Sequence, residues 1–353
     1  MIVRRYLSGL FLLRVAGTTL ALTAILQLLD LLDQASAIVS HRGVAAIGHY
    51  VLLRFPALLA GTVPLGVLAG AMLCFNRLAS GAEMVALRAT GASLVRIIRV
   101  LLPACVLIAL VQLVLQAALA PGAERALSNW WTRISPPDAS PADESLWFRF
   151  GDEVVSVGSV SADGRTIRRL MIVHRSPDGD LLDRIDAAEA RFRNGGYMLR
   201  DVSVSRPDGK DAEHSDARPW PDAPSPANMI DVARPVIAQT PGRLIRILQN
   251  RWASPHGPLA AWTALDSLAI ALLDPLLMVL LAAPLLLSPP RASGNGMQML
   301  RVVALGLGYL GLSGLLAAMG ESGALPPLLA TTASPLLFGA FALATVLQRD
   351  AGA

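Results

Sequence analysis

Lysine is almost missing from this chain: Lys210 is the only one, and the other 29 of its 30 basic residues are arginine. A phosphate-cradling Walker A loop needs Gly-Lys-Ser/Thr, whereas Lys210 sits in Asp208-Gly209-Lys210-Asp211, so ATP hydrolysis of that type must come from another chain. Charge of either sign is also scarce, at 16% of 353 residues. Soluble domains run near ~25% charged, so one ordinary soluble domain is excluded. The two cysteines, Cys74 and Cys105, both fall in or at the ends of apolar runs. His41, His49, His174, His214 and His256 show no metal-ligand spacing, and no serine has a nucleophile-elbow context. No aromatic-plus-basic platform for nucleic acid is present.

Apolar residues are abundant, at 54%, with a mean hydropathy of +0.52. The segment Pro121 to Pro258 holds 19 of the 26 acids and 18 of the 30 bases, which marks one polar insert between two membrane-like halves. About 20 apolar residues span a bilayer core. Six stretches qualify: Leu10 to Leu29, Phe55 to Leu73, Val100 to Leu119, Ala264 to Leu287, Val302 to Met319 and Leu328 to Leu347. The first follows Arg4 and Arg5 but is too long for a secretory signal and lacks a small-x-small cleavage site, so it reads as a retained span. If the six alternate, Arg4, Arg5, Arg77, Arg88, Arg96, Arg99, Arg291, Arg301 and Arg349 share one side, with Arg42 and Arg54 opposite. Basic flanks stay inside, so both termini are expected in the cytoplasm and the insert, free of cysteine, is expected to be exported.

Within the insert, short apolar or alternating runs (Val154 to Val157, Leu170 to Val173, Arg191 to Phe192, Tyr197 to Val204) are separated by Asp163-Gly164, Asp178-Gly179, Asn194-Gly195 and Asp208-Gly209. Such dipeptides accept the positive φ of tight hairpins and predict antiparallel strands in an all-β, jelly-roll-like domain. Open edges are expected along Leu146 to Val157 and Tyr197 to Val204, able to take a partner strand. Pro207 to Pro226 reads as a loop, and a helix is expected from Thr240 with Pro241 in its first position.

Between the second and third spans, Ser80 and Glu83 have capping-box spacing, good helix formers follow, and Gly91 is placed to end the helix. Met84, Leu87 and Arg88 share one face. By spacing alone this helix either lies on the bilayer or docks on another protein. Asn76-Arg77-Leu78-Ala79 followed by Glu83 to Ser93 resembles the corresponding segment of the LptF/LptG family of lipopolysaccharide-export permeases. Pro56 and Pro64 in the second span, Ala282-Ala283-Pro284 in the fourth, Pro326-Pro327 before the sixth, and three spans on each side of a β domain extend the likeness over nearly the whole chain. Leu28 to Gln34 looks closer to LptG than to LptF.

The resemblance implies a polytopic α-helical membrane protein of six transmembrane helices with an inserted periplasmic β domain. Its parts are 1–120 (three spans and a coupling helix at 80–90), 121–258 (the β domain and a connecting helix) and 259–353 (three spans). It further implies a non-catalytic permease subunit in the bacterial inner membrane that extracts lipopolysaccharide and passes it to periplasmic bridge proteins. The implied partners are a cytoplasmic ABC ATPase dimer, a second LptF/LptG-type permease and a single-span, LptC-like β-domain protein. ATP and Mg belong to the ATPase, and this chain is expected to bind no cofactor or metal. Glu83, Met84, Leu87 and Arg88 become the coupling face.

Charges inside spans are costly and mark candidate sites. Asp274, ahead of Pro275, reads either as a cavity wall or as a carboxyl paired with a neighbouring helix. Arg42 and Arg54, at the outer headgroup level, are candidates for contacting lipid phosphates, or they anchor the helices at the interface. Asp30 and Asp33 are gate candidates, expected to pair with arginines of the second permease, above the small residues Ala16, Gly17, Thr18 and Thr19. The alternative function is a secondary transporter of a lipid or amphiphile built from two three-helix halves, which requires ion-coordinating breaks in both halves. A lipid-modifying enzyme would need a catalytic constellation, and none is seen.

Overall fold

The computed structural model describes residues 2–80, 94–132, 145–284 and 295–351, without 151–152, 162, 176–180, 194, 207–212, 222, 233–239, 250–251 and 255–256. The expected coupling helix, with Glu83, Met84, Leu87 and Arg88, lies outside the described residues. The chain divides into two units, Met1–Leu127 with Thr263–Ala353, and Ser128–Trp262.

The first unit is helical. Helix α1 runs Ile2–Arg42, α2 Ala46–Ser80, and α3 Leu94–Val114; α3 passes through a π-turn at Leu115–Leu119 into α4, Ala120–Thr132. Leucine, alanine and valine dominate these segments, with Pro56 and Pro64 inside α2 and Pro103 inside α3. At a rise of ~1.5 Å per residue α1 is about 60 Å long, twice the ~30 Å hydrocarbon core, so Leu10 to Leu29 is only its middle. Gly43 ends it at φ +73°, with its N–H on the Val39 carbonyl at 3.0 Å.

After the β unit the chain returns through α7 (Gly257–Ile270), α8 (Asp274–Ala282), α9 (Asn295–Glu321) and α10 (Pro327–Ala351). The fourth apolar stretch, read from sequence as one span, is two helices bent by 53°. Pro275 has no N–H for the Ala271 carbonyl, and the chain tightens there through Leu273 N–H to Ile270 (2.8 Å) and Asp274 N–H to Ala271 (3.3 Å). Five described helices are long and apolar enough to cross a membrane, six if the bent pair is one span. Phe11, Phe75, Leu78, Leu101, Met278 and Val279 lie in the core they enclose.

The second unit holds a six-stranded antiparallel sheet in the order β1 (Leu146–Phe150), β2 (Glu153–Val160), β3 (Thr166–Arg175), β4 (Leu181–Arg193), β5 (Gly196–Ser205) and β6 (Glu213–Trp220). Each strand pairs with the next, so the inserted β domain is, in its described strands, a meander. Val155, Ile172, Ile185, Leu199 and Val202 turn to one face and are buried with Met229 and Val232 of α5 (Pro226–Val232). The Asp163-Gly164 turn is tucked against α5: Gly164 sits at φ +70°, and a Cβ there would meet the Pro226 carbonyl oxygen at 2.3 Å. Tyr197, at the start of β5, donates its hydroxyl to the Gly164 carbonyl. Helix α6 (Pro241–Leu248) starts where the sequence placed it, after Thr240, and buries Leu244 and Ile247.

One expectation is overturned. Within the segment read as a loop, Glu213 to Trp220 forms β6, pairing with β5 from Tyr197↔Trp220 to Val204↔Glu213. Seven of its eight residues are exposed, so it carries no apolar pattern; its backbone ladder and its edge position, which tolerates Pro219, account for it. The free edges therefore belong to β1 and β6, while Tyr197 to Val204 is interior.

Candidate functional site

Helix α1 carries Thr19, Thr23, Gln27 and Asp30 at intervals of four, four and three, which places them on one face. That face packs on α2. Gly66 and Gly70 allow the approach, since a Cβ on Gly66 would fall 2.0 Å from Thr19 Oγ1 and one on Gly70 2.7 Å from the Val15 Cα. Thr18 donates its hydroxyl to the Gly66 carbonyl at 2.7 Å, and the Thr23 and Thr62 hydroxyls share a hydrogen bond of 2.7 Å. One helical turn beyond Thr23, the Gln27 amide is 7% exposed, and neither of its polar atoms has a hydrogen-bond partner.

The seam ends in a charged cluster. Arg54 donates through Nε to Asp30 Oδ1 at 3.2 Å, and the Tyr50 hydroxyl donates to Asp30 Oδ2 at 2.6 Å. Asp30 keeps 21% of its side-chain exposure and Arg54 33%, so the pair is half-sheltered and its guanidinium remains reachable. The structure thus brings together Asp30 and Arg54, a gate candidate and a phosphate-contact candidate, within one chain. Asp33 stands apart and accepts from Gln34 Nε2 at 2.8 Å. Arg42 is the last residue of α1, and its side chain lies outside the described ones.

A second polar group sits at the break of the fourth span. Asp274 Oδ1 accepts the Tyr309 hydroxyl at 2.5 Å, and Gln112 Nε2 of α3 lies 3.4 Å from Oδ2. Asp274 therefore has partners on two other helices, the second of the readings its position allowed. It ties α3, α8 and α9 around the bend. Gln112 is fully buried and its Oε1 has no partner. Sequence reasoning did not single out Tyr50, Gln112, Tyr309 or the threonine seam. The signal was present: polar residues inside apolar runs at helical spacing.

In the β unit, three charged groups meet on the buried face. His174 bonds Asp183 through Nδ1 and Glu153 through Nε2 at 3.0 Å, and Glu153 also accepts Trp220 Nε1 at 3.1 Å. Register explains the meeting, because Glu153, His174 and Asp183 are direct cross-strand neighbours on β2, β3 and β4. Burial alone would lower the histidine's pKa; the two carboxylate hydrogen bonds outweigh it and hold the pKa above its ordinary value. Among the described residues no group of three or more histidine, cysteine or acidic side chains is placed to hold a metal.

Apolar helices of membrane-crossing length around polar seams, interrupted by a β domain, define a polytopic membrane protein of the transport class. Residues 5–348 match the family model described as lipopolysaccharide export system permease LptF/LptG, and the chain belongs to that family. No curated protein matches the chain by sequence.

Proposed function

We propose that this chain is one permease subunit of an ATP-driven exporter that extracts lipopolysaccharide from the inner membrane and delivers it to periplasmic β-domain proteins. The family match across residues 5–348 carries this reading. A second permease of the same type would complete the membrane path, and a single-span, LptC-like protein would receive the lipid. ATP and Mg would be held by a cytoplasmic ATPase dimer, docked on the 80–90 segment through Glu83, Met84, Leu87 and Arg88. Arg54, oriented by Asp30, supplies an anchored cation for a lipid phosphate. Both termini would lie in the cytoplasm.

Affinity purification in mild detergent tests it: the chain should bring down an ATPase whose hydrolysis rises with lipopolysaccharide. Glu83→Arg should reduce that co-purification or uncouple hydrolysis from lipid release. A chain that moves lipid down an ion gradient with no ATPase present would instead support the secondary-transporter reading, whose supporting observation is the 53° break beside Asp274.

A further inference from the structure

The outer face of the β sheet carries a cavity of about 470 Å³ that no part of the permease reading uses. A volume of that size lies within the ~300–1,000 Å³ of ordinary ligand pockets. It follows one complete cross-strand row, Trp147, Ser156, Met171, Asp186, Ser203 and His214, one residue from each of the six strands. At ~4.8 Å per strand, such a row is about 24 Å long.

The cavity exists because the sheet is creased beside that row. Regular pairing skips Gly158, Arg169, Ala188 and Asp201 on four successive strands, and the inward-facing residues change parity there: Ile167 then Leu170 on β3, Ala187 then Ala190 on β4, Leu199 then Val202 on β5. Arg169 and Asp201, both at φ 53°, are the positive-φ residues other than glycine among the described residues, and both line the cavity. Strained backbone of this kind costs about 1–3 kcal/mol per residue and gathers where a side chain must be re-aimed. Gly158 leaves room for Arg169, whose Nε would lie 2.5 Å from a Cβ at that position.

The lining has unused hydrogen-bonding capacity. The side chains of Ser156, Asp201, Ser203 and His214 make no hydrogen bond to another described residue, so hydroxyls, a carboxylate and an imidazole stand open together. At one end Trp147, 48% exposed, is held by Nε1 donating to Ser145 Oγ at 3.0 Å, which fixes an indole face at the rim. The register puts arginines on both banks, Arg149 and Arg184 on one side and Arg168 and Arg200 on the other. Arg184 also grips Asp186 through two hydrogen bonds of 2.8 and 2.9 Å, which reduces the negative charge of the floor.

We infer that this crease is a binding groove for an anionic saccharide: a sugar ring stacks its C–H face on Trp147, its hydroxyls bond Asp201, Ser203, Ser156 and His214, and its phosphates meet the flanking arginines. The inference rests on the permease reading in one respect, that the saccharide is the head of the exported lipid. Acyl chains have no place in this polar groove, so the groove reads only the part of the lipid that water surrounds.

The test uses the full chain in its detergent-solubilised complex and a fully deacylated, phosphorylated glucosamine disaccharide, with inorganic phosphate and the dephosphorylated disaccharide as comparison probes. Saturation-transfer NMR and titration calorimetry should show saturable binding of the phosphorylated sugar, tighter than either comparison probe. Trp147→Ala and Asp201→Asn should each weaken it at least ten-fold; asparagine tolerates the positive φ of position 201, so the crease survives, and Ser203→Ala serves as a third, milder variant. Variants that bind the sugar as tightly as wild type overturn the groove, as does inorganic phosphate binding equally well. If the complex binds intact lipopolysaccharide but not the sugar, the groove is overturned while the permease reading stands. If Trp147→Ala instead releases a second protein and the sugar never binds, the surface is a protein contact and the inference is wrong. A wild-type complex that binds the sugar but not the intact lipid supports the groove and removes the permease reading.

Discussion

Asp30 and Arg54 form an ion pair across the α1–α2 seam, Nε to Oδ1 3.2 Å, with Tyr50 on the other carboxylate oxygen. Carboxylates on α1 were expected to seek arginines of a second subunit, yet this one is matched at home. Hydrogen bonds to a charged group contribute about 1.5–3 kcal/mol each. Asp30→Asn should therefore lower thermal stability in detergent, and Asp30→Asn with Arg54→Gln should cost less than the two singles added. Strict additivity in that cycle would show that the pair carries no coupling. Arg54→Gln should also reduce crosslinking to lipopolysaccharide.

The close approach of α1 to α2 can be tested at a single atom. Gly66→Ala drives a methyl group into Thr19, whereas Gly61→Ala on the same helix meets nothing within 4 Å. Overpacking of this kind costs about 1–3 kcal/mol. The first variant should melt at a clearly lower temperature and the second should match wild type. Equal melting of both would mean that α1 does not rest on Gly66.

His174 gives the β domain a pH dependence of known sign. Its folded pKa is raised, so the folded state holds the proton more tightly than the unfolded chain, whose histidine titrates near 6.5. The stabilisation is complete below that value and is lost as pH climbs through the raised folded value. Amide exchange in β2, β3 and β4 of the full chain should accelerate as pH rises through this window, after correction for intrinsic exchange. His174→Gln should flatten the dependence; an unchanged profile would remove the histidine as its source.

The intramembrane knot at Asp274 should be held chiefly by its phenol. Tyr309→Phe removes the hydrogen bond of 2.5 Å and leaves a buried carboxylate oxygen short of a donor. The expected loss is about 1–3 kcal/mol. Gln112→Leu, which removes a contact of 3.4 Å together with an unpartnered Oε1, should cost less. Melting curves of the two variants that come out in the reverse order would assign the knot to Gln112.

What the sequence made legible followed from periodicity. The six apolar runs and the Asp163-Gly164 and Asn194-Gly195 hairpins needed only local rules, and the fold bears them out. β6 was invisible because an exposed edge strand buries no alternate residue, so Glu213 to Pro219 carries no pattern to read. The bend at Asp274 was marked by Pro275, but its angle depends on neighbours that local sequence does not name. Asp30 with Arg54, His174 with Asp183, and the creased row from Gly158 to Asp201 depend on register and helix rotation. Pairings between residues far apart in sequence become visible only once packing sets them.

Strand addition is the remaining means by which this chain would reach a partner β domain, and the two free edges are not equivalent. β1 is five residues long, and its outward backbone groups at Arg149 are already taken: Arg149 N–H bonds the Ser254 carbonyl at 2.9 Å and Ser254 N–H returns the bond at 3.0 Å. β6 is eight residues long and has β5 on one side only. It is guarded rather than covered, by Glu213, Asp216, Arg218 and Pro219, the devices that discourage indiscriminate pairing while leaving a matched strand able to add. A photo-crosslinker at Ser215 on β6 should therefore capture a partner β strand in the assembled exporter. The same group at Tyr197 on interior β5 should not, and one at Arg149 should give little. Adducts confined to β1, or equal adducts from β5 and β6, would show that the domains meet by some route other than the β6 edge.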